Sequence, residues 1–309
     1  MAQTLWTILA LIRWADERFK KEGMAIPRLD AEVLLAEALG MDRVGLYTHY
    51  DQPLRGDELA RFKQLVLRRL RREPVAYILG RREFWSLPLR ITPDVLIPRP
   101  ETETLVAEAL QVLSPADQEG LHLLEIGTGS GAISIALAKE LPSARITATD
   151  LSAKALSVAE ENAEKNRVRE QIQFLQGDLF RPVAKGVTFD LVVSNPPYIT
   201  RGQLLSLMPE VRDYEPRIAL DGGKDGLDFF RRALPAVGEY LRSGGWFLAE
   251  MGAGQDQQIL EIAAKNPSLD SLGFAKDLSG INRVFKARKK FCRSRVNILQ
   301  ERPPTRKCC

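Results

Sequence analysis

The first seventy residues carry the apolar spacing of amphipathic helices. The first pattern recurs every three to four positions and consists of Leu5, Ile8, Leu9 and Ile12. Such spacing puts these side chains on one face of a helix. A second pattern ends at Gly40, a residue type that often follows the last helical turn, and a third covers about residues 57–72. We therefore expect residues 1–73 to form a small all-helical domain.

Two pairs of arginines lie near the end of the third predicted helix. They are Arg68, Arg69, Arg71 and Arg72, and they flank Leu70. Charged runs of this kind usually lie on the solvated face of a helix. We predict a solvated face for these arginines and keep the binding of a partner as the alternative.

The pattern changes in residues 74–100, where short apolar stretches alternate with prolines. Alternation over a few residues is typical of strands, and prolines mark the ends of such stretches. Because proline also restricts the residue before it, a segment rich in proline can hold two domains at a defined angle. Residues 74–100 are therefore predicted to be a β-hairpin linker.

After Glu101 the chain alternates between strand and helix patterns, which favours a parallel sheet covered by helices on both faces. The predicted parallel strands are residues 121–126, 144–149, 172–176, 189–194 and 246–250. Two further strands, 273–276 and 283–286, have too few residues between them for a crossover, so they should pair antiparallel. The expected fold class is α/β, with a doubly wound sheet in a domain that spans residues 101–289.

Charge is distributed unevenly along the 309 residues. The formal net charge is +4, but residues 286–309 carry nine basic residues and one Glu, which leaves −4 for residues 1–285. An acidic body shows no basic face that could follow a phosphate backbone, so we expect no nucleic acid partner. Residues 290–309 are predicted to be a basic, disordered tail.

The cysteines, Cys292, Cys308 and Cys309, all lie in this tail. Their spacing suits neither a disulfide framework nor a metal site, so we expect no metal and a reducing, cytoplasmic environment. The apolar run at residues 5–12 is too short for a membrane span and lacks the basic flank of a signal peptide. We expect a monomer without a membrane contact.

A glycine-rich loop follows the first predicted parallel strand and opens a helix. It consists of Gly127, Thr128, Gly129, Ser130 and Gly131. Glycine at such a place lets the backbone approach a ligand closely. Asp150 ends the second strand, where a carboxylate can accept hydrogen bonds from a ribose. A nicotinamide cofactor and S-adenosylmethionine both contain this ribose, so these residues predict a nucleoside site and leave its ligand open.

A second motif, Asn195-Pro196-Pro197-Tyr198, follows the fourth predicted strand at the carboxyl edge of the sheet, where open α/β sheets bind ligands. The Asn195 side-chain oxygen and the Pro196 carbonyl oxygen can each accept one N–H of a substrate NH2 group. These two hydrogen bonds would orient the nitrogen lone pair and stabilise positive charge that develops on the nitrogen. Pro197 stiffens the loop, and Tyr198 offers a flat face to a planar group. The motif predicts methyl transfer to an amide or amine nitrogen.

Several motifs together resemble those of one enzyme family. Glu125 before the glycine-rich loop, with Gly131 inside it, resembles the first motif of class I S-adenosylmethionine-dependent methyltransferases. The further motifs are residues 83–85, 96–103, 195–198, 214–217, 221–227 and 277–280. Over about residues 3–288 the chain resembles the protein-(glutamine-N5) methyltransferase family, in particular its members that modify peptide chain release factors. Residues 98–103 separate it from sister enzymes that modify a ribosomal protein, which resemble Pro-Arg-Ser-Pro there.

This resemblance implies a seven-stranded class I methyltransferase domain, with a helical N-terminal domain that recognises the substrate. It implies S-adenosylmethionine as the cofactor, bound by the glycine-rich loop and by Asp150, Asp178, Leu179 and Asn195. Leu179 stands where some members carry Trp. For Asp178 the alternative is a capping role within its loop.

The resemblance also implies the substrate. Asn195, Pro196, Pro197 and Tyr198 would bind the glutamine of the Gly-Gly-Gln motif in peptide chain release factors, and Asn195, Pro196 and Tyr198 would be catalytic. The implied activity is methylation of that glutamine, which supports translation termination.

Other functions are compatible with parts of the sequence. Another protein glutamine, or an exocyclic amino group of a nucleic-acid base, presents the same geometry to the 195–198 loop. A nicotinamide-dependent oxidoreductase would use the glycine-rich loop, but the sequence contains no Tyr-x-x-x-Lys pattern for hydride transfer. An adaptor without catalytic activity would use only the helical N-terminus.

Overall fold

The computed structural model describes residues 6–113 and 120–291. Its N-terminal helices are Ile8–Lys21 (α1), Pro27–Leu39 (α2), Arg43–Thr48 (α3), Gly56–Leu70 (α4) and Val75–Leu79 (α5). Thr7 caps α1 by accepting a hydrogen bond from the Ala10 backbone N–H. Gly40 ends α2 with a φ of 65°, a left-handed conformation that costs glycine nothing sterically. The predicted helical N-terminal domain is confirmed.

The N-terminal helices pack around a core of their own. Phe19 of α1, Leu34 of α2 and Phe62 of α4 are fully buried in it. Trp14 packs against Phe62, with ring centroids 6.4 Å apart. Burial of a side chain of this size contributes about 2 kcal/mol to stability, so this domain is held together mainly by contacts among α1, α2 and α4.

Three of the four arginines at the end of α4 bind carboxylates, and the predicted solvated face is wrong for Arg69 and Arg72, whose side chains are 6% and 19% exposed. Arg69 is 5% exposed and donates hydrogen bonds to Asp30 and Glu210. Arg72 also donates to Glu210, and Arg68 donates to a carboxylate just after the helix. The fourth arginine is exposed. A local charge pattern could not show this, because Glu210 comes from a distant part of the chain.

The predicted hairpin is confirmed between Arg81–Phe84 (β1) and Leu87–Arg90 (β2), which pair antiparallel. Both residues of the connecting turn have positive φ, 52° at Trp85, which suits the twist of a two-residue hairpin. The residues before the hairpin form α5 and not a strand. Pro74 precedes this helix, and Gly80 ends it with a φ of 69°.

One seven-stranded sheet forms the centre of the remaining chain. Its strands are His122–Ile126 (β3), Arg145–Asp150 (β4), Ile172–Gln176 (β5), Phe189–Ser194 (β6), Leu241–Glu250 (β7), Leu269–Lys276 (β8) and Asn282–Lys289 (β9). The strand order is β5-β4-β3-β6-β7-β9-β8. The strands β3 to β7 are parallel. The strand β9 pairs antiparallel with β8, as predicted, and also antiparallel with β7. The order reverses between β3 and β6, the kind of place where open α/β sheets bind ligands.

Helices cover both faces of the sheet. The helices of this part of the chain are Glu103–Val112 (α6), Ala132–Glu140 (α7), Ala153–Lys165 (α8), Arg201–Leu204 (α9), Pro209–Arg212 (α10), Asp228–Tyr240 (α11) and Asp256–Ala263 (α12). Successive strand residues face opposite layers: Leu123 packs with α6, α7 and α8, and Leu124 packs with α11 and α12. The predicted doubly wound α/β fold is confirmed.

Some predictions concern parts of the chain outside this description. Leu5 and the tail from Cys292 onward, with Cys308 and Cys309, lie outside the described residues. The predicted disorder of that tail stays a prediction. Within residues 6–113 and 120–291, no helix is long and apolar enough to cross a membrane.

Candidate active site

A cavity of about 370 Å³ opens at the carboxyl edge of the sheet, beside the reversal between β3 and β6. Its wall includes Gly127, Thr128, Gly129, Ser130, Asp150, Asp178, Leu179, Asn195, Pro196 and Pro197, together with Asp94, Val95, Leu96 and Pro98 of the linker. The structure therefore brings together most residues that the sequence predicted for the site. Gly131 and Tyr198 lie outside this wall. The volume is typical of a small-molecule site, roughly 300–1,000 Å³.

The glycine-rich loop turns sharply between β3 and α7. Gly127 and Gly129 have φ of 74° and 56°, in the left-handed region that other residues rarely adopt. Two loop N–H groups donate to the Thr149 carbonyl oxygen and tie the loop to β4. Gly131 serves packing, because a Cβ there would lie 3.2 Å from the Ala159 Cβ on α8.

Asp150 ends β4 and accepts hydrogen bonds from the backbone N–H groups of Gly129 and Ser152, both at 2.9 Å. A carboxylate offers about four lone-pair sites, so about two remain for a ligand. Burial raises the pKa of Asp150, and the backbone hydrogen bonds oppose this rise. The arrangement suits the predicted contact with ribose hydroxyls.

The Glu125 side chain is 1% exposed and holds the glycine-rich loop in place through hydrogen bonds. Its carboxylate accepts hydrogen bonds from Thr128 Oγ1 at 2.7 Å, from Ser134 N at 3.1 Å and from Ser134 Oγ. Burial raises the pKa of Glu125 to about 7, although these hydrogen bonds lower it. The side chain thus ties the end of β3 to the start of α7.

Asp178 and Leu179 follow β5 and line the cavity. The Asp178 carboxylate accepts a hydrogen bond from Arg232 of α11 at 2.5 Å, and Arg232 lines the same cavity. The Arg181 guanidinium lies 3.8 Å from the same carboxylate. Within the described residues, no backbone N–H donates to the Asp178 side chain, so a capping role is not observed. Asp178 keeps other lone pairs that can accept from an adenine amino group.

Asn195 follows β6, and its side-chain Nδ2 donates to Thr102 Oγ1 at 3.0 Å. Among the described residues, no group donates to Asn195 Oδ1 or to the Pro196 carbonyl oxygen. Both residues lie on the cavity wall. Two neighbouring acceptors are therefore left for a substrate NH2 group.

A buried carboxylate lies behind Asn195. Thr102 Oγ1 donates to Glu250 Oε2 at 2.7 Å, and the Tyr198 hydroxyl donates to Glu250 Oε1 at 3.1 Å. Burial raises the pKa of Glu250, while its two hydrogen bonds oppose the rise. Burial likewise raises the pKa of Tyr198. The Tyr198 hydroxyl is thus held by the protein, and the predicted contact of its ring with a substrate stays a prediction.

Two glycines of the Asp-Gly-Gly-Lys-Asp-Gly-Leu motif, Gly222 and Gly226, pack against the 195–198 loop. A Cβ at Gly222 would lie 2.8 Å from both the Pro197 oxygen and the Tyr198 Cα, and a Cβ at Gly226 would overlap the Tyr198 carbonyl oxygen. Gln255 also donates to that carbonyl oxygen at 3.1 Å. The loop is therefore held by separate segments of the chain.

Comparison with known proteins identifies the family. The PrmC N-terminal domain matches residues 10–80, and the methyltransferase small domain matches residues 103–208. The chain is 46% identical to the release factor glutamine methyltransferase of Geobacter sulfurreducens, over 92% of this chain and 97% of that protein. The chain belongs to the release factor glutamine methyltransferase family. The enzyme of the same name from Rhodopirellula baltica is 39% identical, over 93% of this chain and 97% of that protein.

A solved structure supports the fold of this family. The hMettl16 catalytic domain in complex with MAT2A 3'UTR hairpin 1 matches with a TM-score of 0.53 and 15% identity, over 80% of this chain and 85% of that chain. At this identity the likeness concerns the fold alone. Together with membership of the release factor glutamine methyltransferase family, it confirms the class I methyltransferase fold and an enzyme that transfers methyl groups. The oxidoreductase and adaptor alternatives are thereby excluded.

Sequence reasoning found the residues at the strand ends and missed those that support them. Thr102 lay inside a motif typical of the release factor glutamine methyltransferase family, but no role was predicted for it. Glu250 was predicted only as the end of a strand, and Arg232 was not singled out. The position of Glu250 in the sequence could have indicated such a role. It is the last residue of an apolar strand, and a buried carboxylate requires hydrogen-bond partners.

Proposed function

We propose that this chain transfers a methyl group from S-adenosylmethionine to the glutamine side-chain nitrogen in the Gly-Gly-Gln motif of peptide chain release factors. This modification would support translation termination, and the enzyme would act in the cytoplasm. Membership of the family supports the reaction. The observation that carries the proposal is the pair of acceptors, Asn195 Oδ1 and the Pro196 carbonyl oxygen, on the wall of the cavity.

The residues of the cavity fit S-adenosylmethionine. Asp150 has lone pairs left for two ribose hydroxyls, and the left-handed glycines allow the backbone to approach a ligand closely. Asp178 and Leu179 would contact the adenine. When bound, the cofactor supplies an electrophilic methyl group on a sulfonium sulfur.

The 195–198 loop would overcome the weak nucleophilicity of an amide nitrogen, whose lone pair is delocalised into its carbonyl. Asn195 Oδ1 and the Pro196 carbonyl oxygen would each accept one N–H of the glutamine, which turns the lone pair toward the methyl group. Neither oxygen is a strong base, so they orient the NH2 group and do not remove its proton beforehand. Both also stabilise the positive charge that develops on the nitrogen.

We assign recognition of the release factor to the helical domain, residues 1–73. A glutamine side chain is too small to identify one protein among many, so specificity requires contacts remote from the chemistry. The linker, residues 74–100, would hold this domain against the catalytic domain, residues 101–289. The buried hydrogen bond between Arg69 and Glu210 supports a defined arrangement of the two.

The test is incubation of the enzyme with methyl-labelled S-adenosylmethionine and a purified release factor, followed by mass spectrometry. We expect one methyl group on the glutamine of the Gly-Gly-Gln motif and none when that glutamine is replaced by Ala. The Asn195→Ala enzyme is the matched control. Label on a ribosomal protein or on a nucleic-acid base, with none on the release factor, would replace the proposed substrate by that one.

A further inference from the structure

A line of hydrogen bonds connects Asn195 to a buried carboxylate. Asn195 Nδ2 donates to Thr102 Oγ1 at 3.0 Å, and Thr102 Oγ1 donates to Glu250 Oε2 at 2.7 Å. Thr102 is 3% exposed and Glu250 is 1% exposed. The three residues come from the end of β6, from the turn before α6 and from the end of β7. The connection is therefore internal to the fold and independent of any ligand.

The carboxylate sets the direction of these hydrogen bonds. An ionised carboxylate can only accept, so the single hydroxyl proton of Thr102 must point to Glu250. The Thr102 oxygen can then only accept from Asn195. The Asn195 side chain must consequently turn its NH2 group to Thr102, which leaves Oδ1 on the other side of the amide. The opposite orientation would bring its NH2 group against the NH2 group of a glutamine, with two donors facing each other.

We propose that Thr102 and Glu250 are positioning residues that select the orientation of Asn195 in which Oδ1 accepts a hydrogen bond from the substrate. The inference rests on the proposed role of Asn195 in methyl transfer. Neither residue need touch the substrate, because both act through Asn195.

The contacts of Glu250 stabilise its ionised form. Burial of an ionised carboxylate is unfavourable unless its oxygen atoms accept hydrogen bonds. Glu250 receives one from Thr102 and one from Tyr198, and the charge of Arg283 on β9 favours its ionised form, whereas Glu101 opposes it. A neutral apolar residue would fill this position at less cost to stability, but it would not fix the direction of the Thr102 hydroxyl.

The inference has a consequence for pH. A protonated Glu250 could donate to Thr102, and Thr102 could then donate to Asn195 Oδ1, which would turn the amide the wrong way. Methyl transfer should therefore decline as the pH falls through the pKa of Glu250. Burial raises that pKa above the ordinary glutamate value, so the decline should begin at a higher pH than for an exposed carboxyl group.

The test compares kcat, KM and cofactor affinity among full-length variants acting on a release factor. Thr102→Val keeps the volume and removes the hydroxyl, so kcat should fall by about 10- to 100-fold, while KM and the Kd of S-adenosylmethionine stay within about twofold of the parent. Thr102→Ser should restore most of the loss. Glu250→Gln should cause a smaller fall in kcat and remove the decline at low pH. Thr147→Val, on β4 and without a side-chain hydrogen bond among the described residues, is the matched control.

Two results would overturn the inference: parental kcat in Thr102→Val, or a loss that Thr102→Ser does not restore. Glu250→Gln supplies an independent check, because an unchanged decline at low pH would also contradict it. If the proposed function were wrong, the parent enzyme would methylate no glutamine at all. This outcome is distinct from the two results that would overturn the inference.

Discussion

Arg69 of α4 donates a hydrogen bond to Glu210 of α10 at 2.9 Å, although 141 residues separate them in the sequence. Both side chains are more than nine-tenths buried, and Arg69 also donates to Asp30 of α2. Glu210 belongs to the segment that follows the 195–198 loop. This pair therefore joins the helical domain to the part of the catalytic domain that carries the loop.

Glu210→Ala should lower the free energy of unfolding by about 2 kcal/mol, because the buried Arg69 guanidinium keeps Asp30 but loses its second carboxylate partner. Denaturation in urea measures the loss. Asp213→Ala is the control, since it removes an ion pair with Arg212 that lies at the surface, and it should leave the midpoint almost unchanged. Equal midpoints for the two variants would show that the buried pair adds no stability.

Asn195→Ala should lower kcat by about 100-fold or more, because it removes one of two oxygen atoms that orient the substrate NH2 group. The Kd of S-adenosylmethionine should change far less. Single-turnover methylation of a release factor and calorimetry measure the two quantities on the same preparation. A variant that turned over as fast as the parent would exclude Asn195 from the proposed mechanism.

Asp150→Ala should raise the Kd of S-adenosylmethionine by about 10- to 100-fold, because hydrogen bonds to a charged acceptor contribute about 1.5–3 kcal/mol. The backbone N–H groups of Gly129 and Ser152 also lose their acceptor, so Asp150→Asn, which keeps one oxygen, should lose less affinity. Calorimetry measures the Kd of each variant, and Asp270→Ala, on the edge strand β8, is the control. An unchanged Kd would remove Asp150 from the cofactor site.

Gly222→Ala should displace the 195–198 loop, because the added Cβ would lie 2.8 Å from the Pro197 oxygen and from the Tyr198 Cα. We expect kcat to fall by at least about tenfold with little change in the melting temperature of the helical domain. Gly202→Ala is the matched control, since its Cβ would meet only the Thr200 hydroxyl oxygen at 3.9 Å. Similar kinetics in the two variants would contradict this packing role.

Glu125 should make stability depend on pH. Its pKa of about 7 in the folded protein lies above the ordinary value of 4.5, so the native state binds more protons than the unfolded state between these values. The resulting stability, about 3 kcal/mol, is fully present below the unfolded pKa and is lost as the pH rises through the folded pKa. Glu125→Gln should remove this dependence.

The measurement for Glu125 is the difference in unfolding free energy between the parent and Glu125→Gln as the pH is varied. The difference isolates this residue from other carboxyl groups whose pKa burial also raises, such as Asp150. The unfolding free energy of the parent should decrease relative to that of Glu125→Gln as the pH rises from about 5 to about 8. A difference that does not vary over this range would contradict the raised pKa.

The sequence predicted the features that local patterns determine. The strand Phe189–Ser194 has the predicted bounds, and Leu269–Lys276 and Asn282–Lys289 pair antiparallel as their short connection required. Gly40 ends its helix as its residue type indicated. In each case the cause lies within a few residues of the feature, so the pattern suffices.

The features that the sequence did not predict depend on contacts between distant segments. The arginines at the end of α4 were predicted to be solvated because the local sequence does not indicate a contact with the distant Glu210. Asn195 was predicted as an acceptor for the substrate and as a cofactor contact, whereas its NH2 group also donates to Thr102. An Asp at position 195 would therefore keep an oxygen atom that can accept from the substrate, but it would lose the hydrogen bond that Asn195 Nδ2 donates to Thr102. The residue types alone could not show this difference.

The hydrogen bonds that orient Asn195 span 93 and 148 residues of the chain. A polypeptide emerging from the ribosome exposes the glycine-rich loop and the 195–198 loop well before Glu250 is available. A chain that lacks β7 can thus contain every residue of the nucleoside pocket and still have an Asn195 amide that is free to turn. Synthesis of the C-terminal strands would therefore complete the orientation of Asn195, and we expect a chain that ends before β7 to lack this orientation even where its nucleoside pocket is complete.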